Sequence, residues 1–256
     1  MRNSNSAICA ATVLAALVAT CIPAASGEIK VMSAIATKVA LDEIIPLYEK
    51  TSGDKVVAQY DAVALVAKRA ASGEAFDIVI ANPRWMDDLV KQNIVLAGSD
   101  TVVGTTVASL AYRRGTPKPD ISTPDAMKEV IVKANKISLS DPADGGSSSV
   151  YFVSVVRQLG IYDIFSRKAI PTKAGEGIFP VSDGTAEIGV AQASEIALAP
   201  GVDGVPIFPS DPKSKSNYVA GVSSQSKEAE AARAFIKFML SADAVAVRKS
   251  KGLAVD

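Results

Sequence analysis

The side chains that could do chemistry in this 256-residue chain are of few types, because the chain contains no histidine. Without histidine there is no Ser-His-Asp triad, no Cys-His pair, no His-ligated zinc and no histidine-ligated haem. Both cysteines, Cys9 and Cys21, lie near the N-terminus. Acid–base and anion chemistry is therefore left to Asp, Glu, Lys, Arg, Tyr and Ser, and we expect no metal and no cofactor.

Three junctions in the first third of the chain could bring binding groups together. At residues 33–37, 60–63 and 82–84, a predicted strand ends and a predicted helix begins. In parallel sheets, ligands bind beyond the carboxyl ends of strands, where helix N-termini present unpaired N–H groups and partial positive charge. We expect these junctions to converge on a small anion. The candidate ligand-binding residues there are Ser33, Ala36, Thr37, Tyr60, Asp61, Ala62, Val63, Asn82 and Arg84.

A polar loop at residues 141–149 is the fourth candidate region, and it leads into a helix predicted at 150–159. The glycine pair at 145–146 leaves room for close backbone approach to a ligand. Ser147, Ser148 and Ser149 either cap the helix or contact the ligand. Gly175 and Gln192 complete the set, and the Gln192 side chain could bond a carboxylate or an amide.

Charged residues at these junctions have two interpretations each. Arg84 either grips a carboxylate through two hydrogen bonds or is a solvated surface arginine. Asp61 either caps the helix that follows it or faces the ligand, where it would suit a ligand with donors or accept a proton. Lys68 and Arg69 are more typical of an exposed helix face.

Strand-like and helix-like segments alternate along the chain, which predicts an α/β fold with largely parallel sheets flanked by helices. A long strand predicted at 102–113 would cross from one lobe to another, and Thr123 would cap a following helix. The other predicted strands are at 29–32, 55–60, 77–81, 136–140 and 187–191. The other predicted helices are at 39–50, 63–71, 85–91, 125–134, 229–240 and 242–250, and we expect the last two to pack on the first lobe.

The first 26 residues predict export. Arg2, an uncharged run at 7–23 and small residues at 24–27 are typical of a signal peptide cleaved near Ser26, which would place the mature protein in the periplasm. The alternative is that this segment stays uncleaved as a membrane anchor. Residues 17–21 (LVATC) faintly resemble a lipoprotein box, but Thr20 before the cysteine fits poorly, so we do not expect a lipid anchor at Cys21. Equal numbers of basic and acidic residues, 27 each, argue against a nucleic-acid partner.

Several segments together resemble the molybdate-binding branch of the periplasmic solute-binding proteins. They are LDEIIPLYEKTSG at 41–53, ASGEAFDIVI at 71–80, WMDDL at 85–89, SDP at 140–142, LG at 159–160 and AEIGV at 186–190. The resemblance covers nearly all of the mature chain and implies a two-lobed type 2 periplasmic-binding fold joined by hinge strands. We expect lobe 1 at 27–104 and 214–256 and lobe 2 at 105–213. The resemblance also implies a small anionic ligand and, as partner, an ABC permease of the inner membrane.

The sequence departs from this branch where the ligand would be held. Ala36 stands where molybdate-binding members have serine, the segment 62–64 (AVA) stands at the junction where they have a second serine, and Gln192 stands where tyrosine is usual. Ser33 and Thr37 are close enough along the chain to replace one lost hydroxyl. The loss of hydroxyls, with Arg84 and Gln192 nearby, favours a small organic carboxylate over a molybdate-type oxyanion.

Two functions remain open at this point. A monomeric binding protein needs no nucleophile, only two lobes that close and replace water with fixed donors. The resemblance also includes periplasmic isomerases of small tricarboxylates such as aconitate, which need a general base and a cationic clamp. In such an isomerase Asp61, Tyr60 or Asp144 would be the base and Arg84 the clamp.

Overall fold

The computed structural model describes residues 27–254, so the predicted signal peptide lies outside the described residues. Within them, one mixed sheet has the strand order β2-β1-β3-β9-β4-β7-β5-β6, and β8 pairs with β4. The strands are β1 Glu28–Ala34, β2 Lys55–Asp61, β3 Ile78–Ala81, β4 Thr101–Arg113, β5 Ile137–Ser140, β6 Ala169–Thr172, β7 Ile188–Gln192, β8 Val202–Pro206 and β9 Lys215–Val222. The α-helices are α1 Lys38–Ser52, α2 Val63–Ala71, α3 Pro83–Lys91, α4 Pro124–Lys133, α5 Ser147–Gln158, α6 Tyr162–Ser166, α7 Phe179–Asp183, α8 Ala229–Met239 and α9 Ala242–Ser250.

Strand β4 divides the sheet into two lobes. Its residues 101–107 pair with β9, whereas residues 108–113 pair with β7 and β8. Strands β1, β2 and β3 continue the sheet beyond β9, and we call this side lobe 1. Strands β5 and β6 continue it beyond β7 and form lobe 2 with β8. The long crossing strand predicted from the sequence is therefore confirmed.

Each lobe keeps a parallel centre, while the strands that connect the lobes run antiparallel. Strand β1 pairs parallel with β2 and β3, and β5 pairs parallel with β6 and β7. Parallel pairs need crossover connections, which α1, α2 and α5 help to supply. Strands β4 and β9, which carry the chain between the lobes, make only antiparallel pairs: β9 with β3 and β4, and β4 with β7, β8 and β9.

The hydrophobic cores also follow the two lobes. Ile29, Ile44 and Ile80 belong to one buried cluster in lobe 1, whereas Leu110 and Phe152 belong to another in lobe 2. Helices α8 and α9 contribute to the lobe 1 cluster, which confirms the prediction that the C-terminal helices pack there. The residues they contribute are Ala232, Phe235, Ile236, Met239 and Ala244.

Local sequence signals explain two helix starts. Thr123 is the N-cap of α4, and its side chain accepts a hydrogen bond from the Ala126 N–H at 3.1 Å, as predicted. Helix α5 starts three residues before its predicted start, because Gly146 is its N-cap and the three serines form its first turn. None of the helices in residues 27–254 combines the length and apolar character needed to cross a membrane.

Candidate functional site

A small cavity of about 20 Å³ lies between the two lobes, at the carboxyl ends of β1, β5 and β7. The first turns of α2 and α5 border it from opposite lobes. We call it the inner cavity. It is lined by Ala34, Ile35, Ala36, Ala62, Val63, Ser140, Gly146, Ser147, Ser148, Ala174, Gly175, Gln192, Glu195 and Tyr218.

Half of the residues predicted from the sequence line this cavity, and they come from both lobes. From lobe 1 they are Ala36, Ala62 and Val63. From lobe 2 they are Ser147, Ser148, Gly175 and Gln192. The predicted convergence of strand ends is therefore present in the structure for the first and second junctions and for the polar loop.

Two helices begin at the inner cavity without a side-chain cap. Helix α2 has Ala62 at its N-cap and α5 has Gly146, and neither residue has a side chain that could accept a hydrogen bond from the first turn of its helix. The first N–H groups of a helix have no partner within the helix, and the helix dipole makes this end partly positive. The two helices, 9 and 12 residues long, thus offer backbone donors to an anion from both sides.

Gln192 carries the most unusual hydrogen-bonding situation in the cavity wall. Its side-chain Nε2 donates to Ser216 Oγ at 3.0 Å, and its Oε1 is buried without a partner among the described residues. A serine hydroxyl both donates and accepts, so the amide can rotate, accept from Ser216 and turn its NH₂ into the cavity. Gln192 is therefore able to match either an anion or a hydrogen-bond donor.

Glu195 is a buried carboxyl group in the wall of the cavity, and sequence reasoning missed it. It lies in a 3-10 turn, Ala193–Leu198, and its Oε2 accepts a hydrogen bond from the Gln192 N–H at 3.2 Å. Burial raises the pKa of Glu195 to about 7, although the Gln192 N–H partly offsets that effect. Such a group exchanges a proton near neutral pH, which suits a general base.

Tyr218 of β9 adds a second buried titratable group that was not predicted. Burial raises the pKa of Tyr218 above its usual value, and the charge of nearby Glu195 adds to the effect. Its hydroxyl therefore stays protonated at neutral pH and is able to donate a hydrogen bond to a ligand. For Glu195 the sequence did hold a clue, because this acidic residue lies three positions after Gln192, where strand β7 ends.

The lobes touch at several places around the cavity, and the Gln192–Ser216 hydrogen bond is one of them. Asn82 Oδ1 accepts a hydrogen bond from Ser147 Oγ at 3.0 Å, and Asn82 Nδ2 donates to the Asn217 carbonyl at 2.7 Å. Gly145 lies so close to Ala64 that an added Cβ would meet the alanine Cβ at 2.4 Å, and Gly175 has a similar contact with Ile35. The two glycines thus allow the lobes to close over the cavity.

The other predicted residues do not line the inner cavity. Ser33 and Thr37 are buried and their hydroxyls lie 2.6 Å apart, so they satisfy each other. Ser149 is buried behind the first turn of α5, and its Oγ has no partner among the described residues. Arg84 is exposed, with its guanidinium 5.2 Å from the centre of the Trp85 ring.

The acids and the tyrosine considered as bases also lie away from the cavity. The Tyr60 hydroxyl donates to Asp42 at 3.2 Å, and burial together with this aspartate raises the pKa of Tyr60 well above its usual value. Asp61 accepts from the Ala62 N–H at 2.8 Å and lies 3.7 Å from Arg69. Asp144 ends the Pro142–Asp144 turn. In residues 27–254 there is also no cluster of acidic side chains arranged to hold a metal ion.

The sequence model of a family described as bacterial extracellular solute-binding protein matches residues 29–254. The chain belongs to this family. A curated aconitate isomerase from Pseudomonas sp. is 31% identical over 219 residues, covering 82% of this chain and 81% of that protein. The molybdate-binding protein ModA of Escherichia coli K12 is 24% identical over 232 residues, with 90% of each chain covered.

Solved structures of solute-binding proteins share the fold of this family member. The periplasmic molybdate-binding protein of Azotobacter vinelandii superposes with a TM-score of 0.74 at 18% identity, covering 89% of this chain and 99% of that chain. The sulfate-binding protein SubI of Mycobacterium tuberculosis H37Rv superposes with a TM-score of 0.72 at 18% identity, covering 90% of this chain and 88% of that chain. The two-lobed periplasmic-binding fold expected from the sequence is confirmed.

Proposed function

We propose that this chain is an exported solute-binding protein that captures a small organic carboxylate between its lobes and passes it to an ABC permease of the inner membrane. The observation that carries the proposal is the pair of helix starts without a side-chain cap, α2 and α5, which face one cavity from opposite lobes. An anion bound there would be held by backbone N–H groups that have no other partner.

A carboxylate is favoured over molybdate by the side chains in the cavity wall. Apart from Tyr218 of β9, the lobe 1 residues that line the cavity are all apolar, so this wall offers a tetrahedral oxyanion one phenol hydroxyl and no serine or threonine hydroxyl. Gln192 can donate to a carboxylate oxygen after its amide rotates. The higher identity to an aconitate isomerase than to a molybdate-binding protein points the same way.

We assign residues 27–104 and 214–256 to lobe 1 and residues 105–213 to lobe 2. The change of partner along β4, from β9 to β7 and β8, supports the first boundary. The start of β9 at Lys215 supports the second. Cleavage of a signal peptide near Ser26 and release into the periplasm are also proposed, with support from the extracellular family of the chain.

Thermal unfolding of the mature chain in the presence of single anions tests the main proposal. A ligand at 100 times its Kd stabilises the folded state by about 2.7 kcal/mol, which is several degrees of Tm. We expect stabilisation by acetate, tricarballylate or trans-aconitate that exceeds that by molybdate and sulfate. Sodium chloride at matched ionic strength is the control. Absence of a shift with every anion would refute the proposal.

An isomerase of aconitate is the second candidate, and Glu195 is the observation that favours it. Moving the double bond of aconitate requires removal of a proton from the methylene carbon and return of a proton to the former vinylic carbon. Glu195, with a pKa of about 7, is suited to carry that proton, and Tyr218 stays protonated as a donor. Asp61, Tyr60 and Asp144 do not line the cavity.

Incubation of the purified chain with trans-aconitate in D₂O separates the two candidates. An isomerase would produce cis-aconitate and incorporate deuterium at the reacting carbons, and Glu195→Gln would abolish both while the ligand still raised Tm. A chain that is stabilised by trans-aconitate without product or deuterium exchange is a binding protein only.

A further inference from the structure

A second, larger cavity of about 500 Å³ opens next to the inner cavity, and we call it the outer groove. It lies between α3, α5 and β9, and Ser147 lines both cavities. Arg84, Lys213 and Lys215 line the outer groove, and none of its lining residues is acidic. The groove is therefore positively charged at neutral pH.

The three cations have no carboxylate partner among residues 27–254. None of them forms an ion pair within 4.0 Å there, whereas Lys38, Lys55 and Arg69 all do. The nearby Asp211 is engaged in the turn below them: its Oδ1 accepts from the Lys213 N–H at 2.9 Å and its Oδ2 from the Tyr151 hydroxyl at 3.0 Å. Their positive charge is left for a group outside the chain.

The two cavities meet at Ser147, which makes one of the hydrogen bonds that join the lobes. Ser147 Oγ donates to Asn82 Oδ1 at 3.0 Å, and both residues line the outer groove. A ligand that extends from the inner cavity into the groove would pass this bond. Val150, which is 49% exposed in the groove wall, gives an apolar surface for a carbon chain.

We propose that the outer groove is a second anion subsite, which binds the additional carboxylates of a di- or tricarboxylate whose first carboxylate occupies the inner cavity. The inner cavity, at about 20 Å³, suits one compact anionic group rather than a whole tricarboxylate. The carbon chain then passes Ser147, and Arg84, Lys213 and Lys215 pair with the remaining charges. This inference rests on the proposed anion capture and specifies its substrate class.

Calorimetric titration with tricarballylate and with acetate tests the subsite, since only tricarballylate reaches the groove. The test variant is the triple Arg84→Gln, Lys213→Gln, Lys215→Gln. The matched control is Lys50→Gln, Lys91→Gln, Lys237→Gln, which removes three exposed positive charges elsewhere on the surface. We expect the test variant to bind tricarballylate at least about tenfold more weakly than the unmodified chain and acetate less than about twofold more weakly. The control variant should bind both ligands with nearly unchanged affinity.

Each result has a definite reading. Equal weakening of both ligands, weakening of tricarballylate by the control variant, or no weakening by the test variant would overturn the outer subsite while the inner site stands. If the unmodified chain binds neither ligand, the proposed function fails and the subsite fails with it. If the difference in tricarballylate affinity between the test variant and the unmodified chain becomes smaller in high salt, this would support pairing of the ligand with these exposed cations.

Discussion

The two walls of the inner cavity differ sharply in chemistry. Lobe 1 contributes the apolar side chains of Ala34, Ile35, Ala36, Ala62 and Val63, and its one polar lining group is the Tyr218 hydroxyl of β9. Lobe 2 contributes hydroxyls, an amide and a carboxyl, which belong to Ser140, Ser147, Ser148, Gln192 and Glu195. We infer that lobe 1 holds a ligand through backbone N–H groups and shape, whereas lobe 2 selects it through side chains.

The largest effect is expected where the two walls meet. Gly175→Ala would place a Cβ 2.5 Å from Ile35 Cγ1 and prevent the lobes from closing. Overpacking of this kind costs about 1–3 kcal/mol, which corresponds to about five- to 150-fold weaker ligand binding. Calorimetry with tricarballylate measures the loss.

Gly160→Ala is the matched control for that substitution. Gly160 has a φ of +68° and Gly175 a φ of +76°, so alanine strains the backbone at both, but an added Cβ at Gly160 meets nothing within 4 Å. Gly160→Ala should therefore lower Tm with unchanged affinity. If Gly175→Ala and Gly160→Ala bound tricarballylate with similar affinity, this would contradict the idea that the lobes close over the cavity at Gly175.

The next largest effect concerns the charge on the lobe 2 wall. An anion in the cavity favours protonated Glu195, whose pKa is about 7, so binding takes up a proton and weakens as pH rises above that value. The loss should approach about tenfold in affinity per pH unit at alkaline pH. Glu195→Gln is neutral, and its Oε1 can still accept from the Gln192 N–H.

We expect the affinity of Glu195→Gln to stay constant between pH 6 and pH 9, as measured by calorimetry in buffers of matched ionic strength. Below the pKa of Glu195 the two proteins should bind alike. A variant that keeps the pH dependence of the unmodified chain would show that another group takes up the proton.

A smaller effect is expected from one hydroxyl of the lobe 2 wall. Ser148→Ala removes a donor that lines the cavity, and the lost hydrogen bond should weaken carboxylate binding about two- to tenfold. Ser149→Ala is the control, since this neighbour is buried on the same helix without lining the cavity. Titrations in which both alanine variants bind equally would remove Ser148 from the site.

The smallest effect comes from adding a hydroxyl to lobe 1. Ala36→Ser makes the apolar wall more like the lobe 2 wall, and we expect about threefold tighter binding of molybdate with little gain for acetate. Competition between the two anions in a thermal-shift assay measures this change in selectivity. A gain for acetate equal to that for molybdate would show that lobe 1 does not discriminate between them.

Sequence patterns predicted those parts of the fold that are set by local signals. Helix α2 matches its predicted bounds, because apolar spacing and the following Ser72-Gly73 define it. Strand β9 was not predicted, since residues 211–216 suggested a polar return and Ser216 and Asn217 interrupt the apolar pattern. Its pairing with β3 and β4 depends on residues more than 100 positions away.

The same limit explains which site residues could be predicted. Ser147, Ser148 and Gln192 follow strand ends within their own lobe, so local order along the chain indicated them. Tyr218 and Glu195 reach the cavity through β9 and a 3-10 turn, neither of which was predicted. Arg84 follows a strand end too, but its helix directs it to the outer groove.

A crystal structure of the mature chain with tricarballylate, which has no double bond to isomerise, tests the central claim most directly. We expect one carboxylate between the first turns of α2 and α5, contacting Ser148 and Gln192, with the other carboxylates directed toward Arg84 and the outer groove. Tricarballylate bound elsewhere on the chain, with the cavity between the lobes free of it, would contradict the proposed capture of an anion between two unlike walls.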